Sequence, residues 1–134
     1  MSLVLDASVL VELLLDSPIG RRARPVLSSD ESQLHIPELA VVEVVSVMRG
    51  LVRGKQVTPD RAQRALVIFR SFPARRWPMD PLAGRAWALR DALTSYDAMY
   101  VALAEGLDAT LVTMDQRLAS GAAAVARCPI HLVS

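Results

Sequence analysis

The sequence predicts an α/β fold with a mainly parallel sheet of about five short strands flanked by helices. Short apolar runs alternate along the chain with longer segments of helical pattern, the rhythm of parallel strands joined by crossover helices. Two of the strand candidates, at residues 2–5 and 109–113, read as buried apolar runs, as expected where both faces of a sheet are covered. Residues suited to helix N-caps, among them Asp6, Ser17, Thr58 and Thr94, stand directly before the helical segments. A chain of 134 residues is expected to form one domain, spanning 1–134, with a substantial core.

In order, Ser2-Leu3-Val4-Leu5 reads as a buried strand that Asp6 ends. Ala7 to Leu15 reads as a helix, with Asp6 as its cap and Ser8 placed either to cap the same turn or to orient a neighbouring carboxylate. Ser17-Pro18 opens a basic helical piece carrying Arg21, Arg22 and Arg24, which Pro25 is expected to disturb. Residues 28–32 read as a loop, and Leu34-His35-Ile36 as a second strand stopped by Pro37. His35 reads as an ordinary strand residue, with no second histidine near enough to form a metal pair. Glu38 to Arg53 is contested, because Val41-Val42-Glu43-Val44-Val45 favours a strand. Length decides for a helix, since about sixteen residues without a breaker exceed the usual strand.

Gly54 is expected to break that helix. Thr58-Pro59-Asp60 starts another, with a cap, a first-turn proline and an acid at the positive dipole end. It is expected to run to about Phe72. Arg75-Arg76-Trp77 reads as a third strand, and Asp80-Pro81 opens a helix with Leu82, Ala86, Leu89 and Leu93 at core spacing. Trp87 packs beside that stripe or in a contact surface. Thr94 to Glu105 reads as a nearly all-apolar helix, capped by Thr94 or Ser95 and closed by Gly106. Ala109 to Thr113 is a fourth strand, Gln116 to Ser120 a short helix, and Ile130 to Val133 a last strand.

Composition adds limits. The hydrophobic fraction of 52% lies above the globular norm of about 45–50%, so a partner or a second copy is expected to cover apolar surface. One cysteine, Cys128, cannot make an internal disulfide, which fits a reducing cytoplasm. Asp6 and Glu12 interrupt the apolar start, and no basic stretch precedes it, so no secretory leader is expected. No run approaches the roughly 20 apolar residues of a membrane span. The net charge of +1 is unevenly spread: residues 44–77 hold eight cations and one acid, +7, which leaves −6 for the rest. A positive flank beside an acidic remainder suits a polyanion drawn towards metal-binding acids. It suits a solvated helical face equally well.

Four acids carry the chemistry. Asp6 and Asp115 each stand where a strand hands over to a helix, and sites of parallel sheets form beyond such carboxyl ends. Asp97 stands in the first turn of the apolar helix, where its bland reading is a capping box with Thr94. Glu43 sits between four valines, where an ionised group is costly unless paired, solvated or bound to a cation. Ionised oxygen ligands are what Mg²⁺ or Mn²⁺ requires, and without a cation such a cluster repels itself. No His or Cys pair competes for a nucleophile role, and no Gly-rich phosphate loop is present. Two non-nuclease readings stand beside this one. The first is a phospho-acceptor signalling module, which the position of the only lysine, Lys55, in a loop disfavours. The second is a binding module without catalysis.

The set Leu5-Asp6-Ala7-Ser8, Glu43, Tyr96-Asp97-Ala98-x-Tyr100-Val101-Ala102-Leu103-Ala104 and Leu111-Val112-Thr113-x-Asp115-x-Arg117-Leu118 resembles the PIN-domain family, and within it the VapC toxins of bacterial toxin–antitoxin pairs. Residues 17–35 and 54–90 carry no signature. The resemblance implies a PIN-like, Rossmann-like α/β/α sandwich, a homodimer, Mg²⁺- or Mn²⁺-dependent endoribonuclease activity and neutralisation by a small antitoxin. It implies an acidic pocket of Asp6, Glu43, Asp97 and Asp115. In that pocket Asp6 and Asp97 are the most direct metal ligands, Glu43 and Asp115 complete the coordination or hold water, and Ser8 and Thr113 orient the carboxylates. A housekeeping RNA-processing nuclease of the same family has the same acids.

Overall fold

The computed structural model describes residues 1–28 and 32–134. The middle of the expected 28–32 loop, residues 29–31, lies outside the described residues. Five strands, β1 (Ser2–Leu5), β2 (Gln33–Pro37), β3 (Ala74–Trp77), β4 (Thr110–Thr113) and β5 (Ile130–Leu132), form one sheet in the order β3-β2-β1-β4-β5. Every pairing is parallel, with Leu5 beside Val112 where β1 meets β4. Among the described residues, seven helices flank it: α1 (Ala7–Leu14), α2 (Pro18–Leu27), α3 (Leu39–Arg53), α4 (Pro59–Arg70), α5 (Ala83–Ala88), α6 (Ser95–Gly106) and α7 (Gln116–Ala122). The expected α/β class and parallel sheet are what the chain adopts.

The strand order places the site. The chain runs outward through β2 and β3 on one side of β1, then returns to lay β4 and β5 on the other. The crevice beyond the carboxyl ends of β1 and β4 is therefore the point where the order reverses, the usual ligand position in such sheets. Leu3, Val4 and Leu5 of β1 and Leu111 and Val112 of β4 are buried, so the residues that follow them start from a rigid floor. Helix α6 lies over β1, β2 and β4, with Tyr100, Val101, Leu103 and Ala104 buried.

Several element ends differ from expectation. Pro25 lies within α2 rather than breaking it. It stands exposed near the last turn, where a proline costs the helix only the bond to the Arg21 carbonyl. The helix at Asp80-Pro81 is a 3₁₀ turn (Asp80–Leu82) followed by the short α5, although Ala86, Leu89 and Leu93 are buried as their spacing predicts. Helix α4 stops at Arg70, two residues early. Gly106 does not close α6; the helix includes it, Leu107 caps it, and the left-handed residue is Asp108, at φ 52°. Asp16 and Lys55 take the same conformation after α1 and α3, so none of the three left-handed positions is filled by glycine.

Glycine is required elsewhere. Gly20, in the first turn of α2, sits on the end of α1: a Cβ there would lie 2.3 Å from the Glu12 carbonyl oxygen. That oxygen already accepts from the Ser17 amide at 3.1 Å, so it cannot give way. Gly20→Ala is expected to cost about 3 kcal/mol, the upper range for overpacking, measured as a lowered denaturant midpoint at unchanged m-value. An unchanged midpoint would mean that α2 swings away freely.

The basic segment is partly consumed by the fold. Arg61 donates to the Leu15 carbonyl at 2.6 Å and Arg76 to the Phe69 carbonyl at 2.8 Å, and Arg75 lies 4.0 Å from the Trp77 ring centre. Trp77 in turn donates to His35 at 3.0 Å, which buries the histidine on β2. Among the described residues, no helix is long and apolar enough to cross a membrane.

Candidate active site

Asp6 follows β1 directly and caps α1, accepting from the Val9 amide at 3.2 Å. It is 4% exposed. The hydroxyl of Ser8 donates to one carboxylate oxygen at 2.6 Å, and the hydroxyl of the fully buried Thr113 donates to the other. Neither hydroxyl is free to turn round. Ser8 Oγ accepts from the Met114 amide at 3.0 Å, and Thr113 Oγ1 accepts from the Asp115 amide at 2.9 Å. With a backbone donor on each oxygen, both hydroxyl protons point at Asp6. This network ties the end of β1 to the end of β4.

Asp115 caps α7, one oxygen accepting from Arg117 at 2.9 Å and Leu118 at 3.2 Å. Asp97 lies in the first turn of α6, its amide bonded at 3.2 Å to the Thr94 hydroxyl that caps the helix. Glu43 projects from α3 and accepts from the Tyr100 hydroxyl at 2.6 Å. Sequence reading left Tyr100 without a role of its own. Its signal was present: a tyrosine in an otherwise aliphatic helix interior must bring its hydroxyl to a partner.

Asp6, Glu43, Asp97 and Asp115 line one cleft of about 410 Å³, walled on its apolar side by Val11, Val47 and Leu51. Their charges act on one another. Burial raises the Asp6 pKa most, with Asp115 adding to it against the hydrogen bonds from Ser8, Thr113 and Val9. Glu43 is raised first by burial and further by Asp97 and Asp6, against the bond from Tyr100. Asp97 is raised by burial, then by Asp115 and Asp6, with Thr94 and Arg117 opposing. Burial and the bond to Glu43 push the Tyr100 hydroxyl well above its ordinary range, so it stays a donor.

The expected cation cage is not closed. Among the described residues, no three His, Cys, Asp or Glu side chains are near enough together to ligate one ion as they stand. The bonds above explain the spacing: Asp6, Glu43 and Asp115 are each drawn to a partner at the cleft wall, and mutual repulsion favours that spread. The donor set nevertheless fits a hard divalent ion. It is all carboxylate oxygen, with no nitrogen or sulfur in the cleft lining apart from the Met114 thioether, a poor ligand for Mg²⁺. Three of the four acids sit where burial disfavours their charge, and a cation relieves that.

A family model for the PIN domain matches residues 3–124. The chain belongs to the PIN-domain family. Two relatives in Mycobacterium tuberculosis are ribonuclease VapC12, 41% identical with 87% of this chain and 89% of its own length covered, and ribonuclease VapC9, 37% identical with 98% of each covered. A toxin–antitoxin complex from Klebsiella pneumoniae superposes over 88% of this chain and 90% of its own with a TM-score of 0.60 at 24% identity. That likeness speaks for the fold. Within this PIN domain, Tyr100→Phe removes the donor that fixes Glu43. Cleavage of RNA is expected to fall about 10- to 100-fold, the usual effect of losing a group that orients a ligand, with the fold retained. A rate within twofold of the parent would show that Glu43 needs no such support.

Proposed function

We propose that this PIN domain is a Mg²⁺- or Mn²⁺-dependent endoribonuclease, the toxin of a toxin–antitoxin pair, working in the cytoplasm as a homodimer of one-domain chains. One observation carries the reading: Asp6, Glu43, Asp97 and Asp115, from four separate elements, line a single cleft at the switch point of the sheet, with Glu12 of α1 as a fifth carboxylate. The relatives that share 37–41% of its residues are named ribonucleases, which supports the same activity here. The Klebsiella pneumoniae neighbour is a toxin–antitoxin complex, which supports a small protein partner. Exposed Val67 and Ile68 on α4 offer apolar surface for such a partner or a second copy.

Asp6 and Asp97 would be the direct ligands, with Glu43 and Asp115 completing the set or holding water, and Ser8 and Thr113 aiming the Asp6 oxygens. When bound, the cation activates water for in-line attack on phosphorus and offsets charge on the phosphoryl oxygens. The chain's own contribution is orientation. Hydroxyls fixed by backbone amides hold Asp6, and the Tyr100 hydroxyl holds Glu43, so each acid is anchored at the cleft wall, from which the set draws together to ligate an ion. The walls of Val11, Val47 and Leu51 limit water around the scissile bond. The test is cleavage of total RNA by the purified chain, expected with Mg²⁺ or Mn²⁺, lost on chelation and restored on re-addition. Intact RNA under every divalent cation tried would overturn the nuclease reading. Growth inhibition on expression, relieved by the product of a neighbouring short reading frame, tests the toxin assignment separately.

A further inference from the structure

The acidic cleft is the middle of a longer trough. At one end it shares Glu43 and Val47 with a hollow of about 420 Å³ that is completed by Val42, Ser46 and Tyr96. At the other it shares Asp97 and Asp115 with a hollow of about 270 Å³ that contains Arg117. The ends are chemically unlike. One is walled by an aromatic ring and two valines beside Ser46 and Glu43, and the other presents a guanidinium. Tyr96 is one residue before Asp97 and is 59% exposed, whereas Tyr100, one turn on, is buried and bonded. The fold has no use for the Tyr96 ring: it is not part of the core.

We infer that Tyr96 is a stacking platform for one nucleobase of single-stranded RNA, beside the scissile phosphate, and that Arg117 holds a backbone phosphate on the other side of the acids. This rests on the nuclease reading above and adds which parts of the substrate the chain grips. The exposed Tyr96 ring shares its hollow with the small Ser46 and the aliphatic Val42 and Val47, surroundings suited to a flat apolar-faced group. Every base has such a face, so this contact is sequence-tolerant. The acids between the two ends repel phosphate, so without a cation the end contacts must supply the binding. Arg117 also offsets the Asp97 charge from its own side, which lets a phosphate approach. A strand lying in the trough thus has a direction, with base contact at one end and backbone contact at the other.

The experiment uses the intact chain without divalent cations, so that binding is read apart from cleavage. The probe is a fluorescein-labelled single-stranded RNA dodecamer, and a second version carries 2-aminopurine in place of its adenines. Tyr96→Ala is expected to weaken binding by anisotropy about 5- to 100-fold, the value of one base stacked on an aromatic ring, and to lose part of the 2-aminopurine quenching. Tyr96→Phe is expected to retain both. Arg117→Ala should reduce the slope of log affinity against log salt by about 0.7, one phosphate contact on a single strand, and leave the quenching. Unchanged affinity and quenching in Tyr96→Ala overturns the stacking assignment, as does equal loss in Tyr96→Phe. Sedimentation closes the remaining route: if Tyr96→Ala changes the oligomeric state while binding RNA like the parent, the slot is a contact between copies and the assignment is wrong. Failure of the nuclease reading looks different, since it removes cleavage by the parent chain.

Discussion

Asp97→Asn is expected to lower RNA cleavage about a thousand-fold while making the metal-free protein more stable. The two effects have one cause. Asp97 is half-buried at the start of α6, and burial, Asp115 and Asp6 all disfavour its ionised form. An amide of the same shape removes the repelling charge and keeps the backbone bond from the Asp97 amide to Thr94 at 3.2 Å. Relief of one unfavourable charge contact stabilises by about 0.5–1 kcal/mol, in the range typical of trading function for stability. The same charge is needed once a divalent cation and a phosphate occupy the cleft. A lost anionic ligand there removes several kcal/mol of transition-state stabilisation, and about 4 kcal/mol is about a thousand-fold in rate. Cleavage at saturating Mg²⁺ and a melting curve in chelator read the two halves. Undiminished cleavage would remove Asp97 from the site. Lost cleavage with a lowered melting temperature would mean that the substitution had damaged α6 instead.

Which parts of this arrangement show in the sequence follows from the range of the forces involved. Caps are local: Asp6, Ser17, Thr58 and Thr94 cap the helices they precede as expected, and Asp115 caps α7 in the same way, each accepting a backbone amide within three residues. Buried parallel strands are equally legible, because Leu3-Val4-Leu5 and Leu111-Val112 leave no room for an exposed face. Helix ends were harder to read. Gly106 has the right identity for a left-handed closure, yet Asp108 takes it, because Ala109 must reach back to bond the Ala104 carbonyl at 2.8 Å before β4 begins. The partner that fixes Glu43 is 57 residues away, and nothing local in the valine-rich stretch of α3 announces it. The bonds that residues 44–77 make within the fold are hidden for the same reason. Arg61 and Arg76 spend donors on backbone carbonyls, contacts that exist only after α4 has packed on α1 and β3 has joined the sheet.

Mn²⁺ is expected to raise the melting temperature at neutral pH, and the increment should shrink as the solution is acidified. The sign comes from the acids. Asp6, Glu43 and Asp97 have folded pKa values above their ordinary 3.8, 4.5 and 3.8. Without metal, the folded chain therefore holds these protons more tightly than the unfolded chain. That contribution to stability is fully present below the ordinary carboxylate values and is lost as pH rises through the elevated folded ones. The metal-free protein should then gain from these three groups on mild acidification from neutrality. A divalent cation binds the deprotonated acids and competes with the protons, so its contribution runs the opposite way. At a hundredfold excess over its dissociation constant it adds about 2.7 kcal/mol, or roughly 8 °C for a domain of this size. Scans with and without Mn²⁺ across the carboxylate range should converge as pH falls. An Mn²⁺ increment equal at every pH would place the ion away from these acids, and an increment retained in Asp97→Asn would place it away from α6. Convergence in the parent chain together with loss in that variant joins the raised carboxyls and the cation to one cleft, by a measurement that needs no RNA.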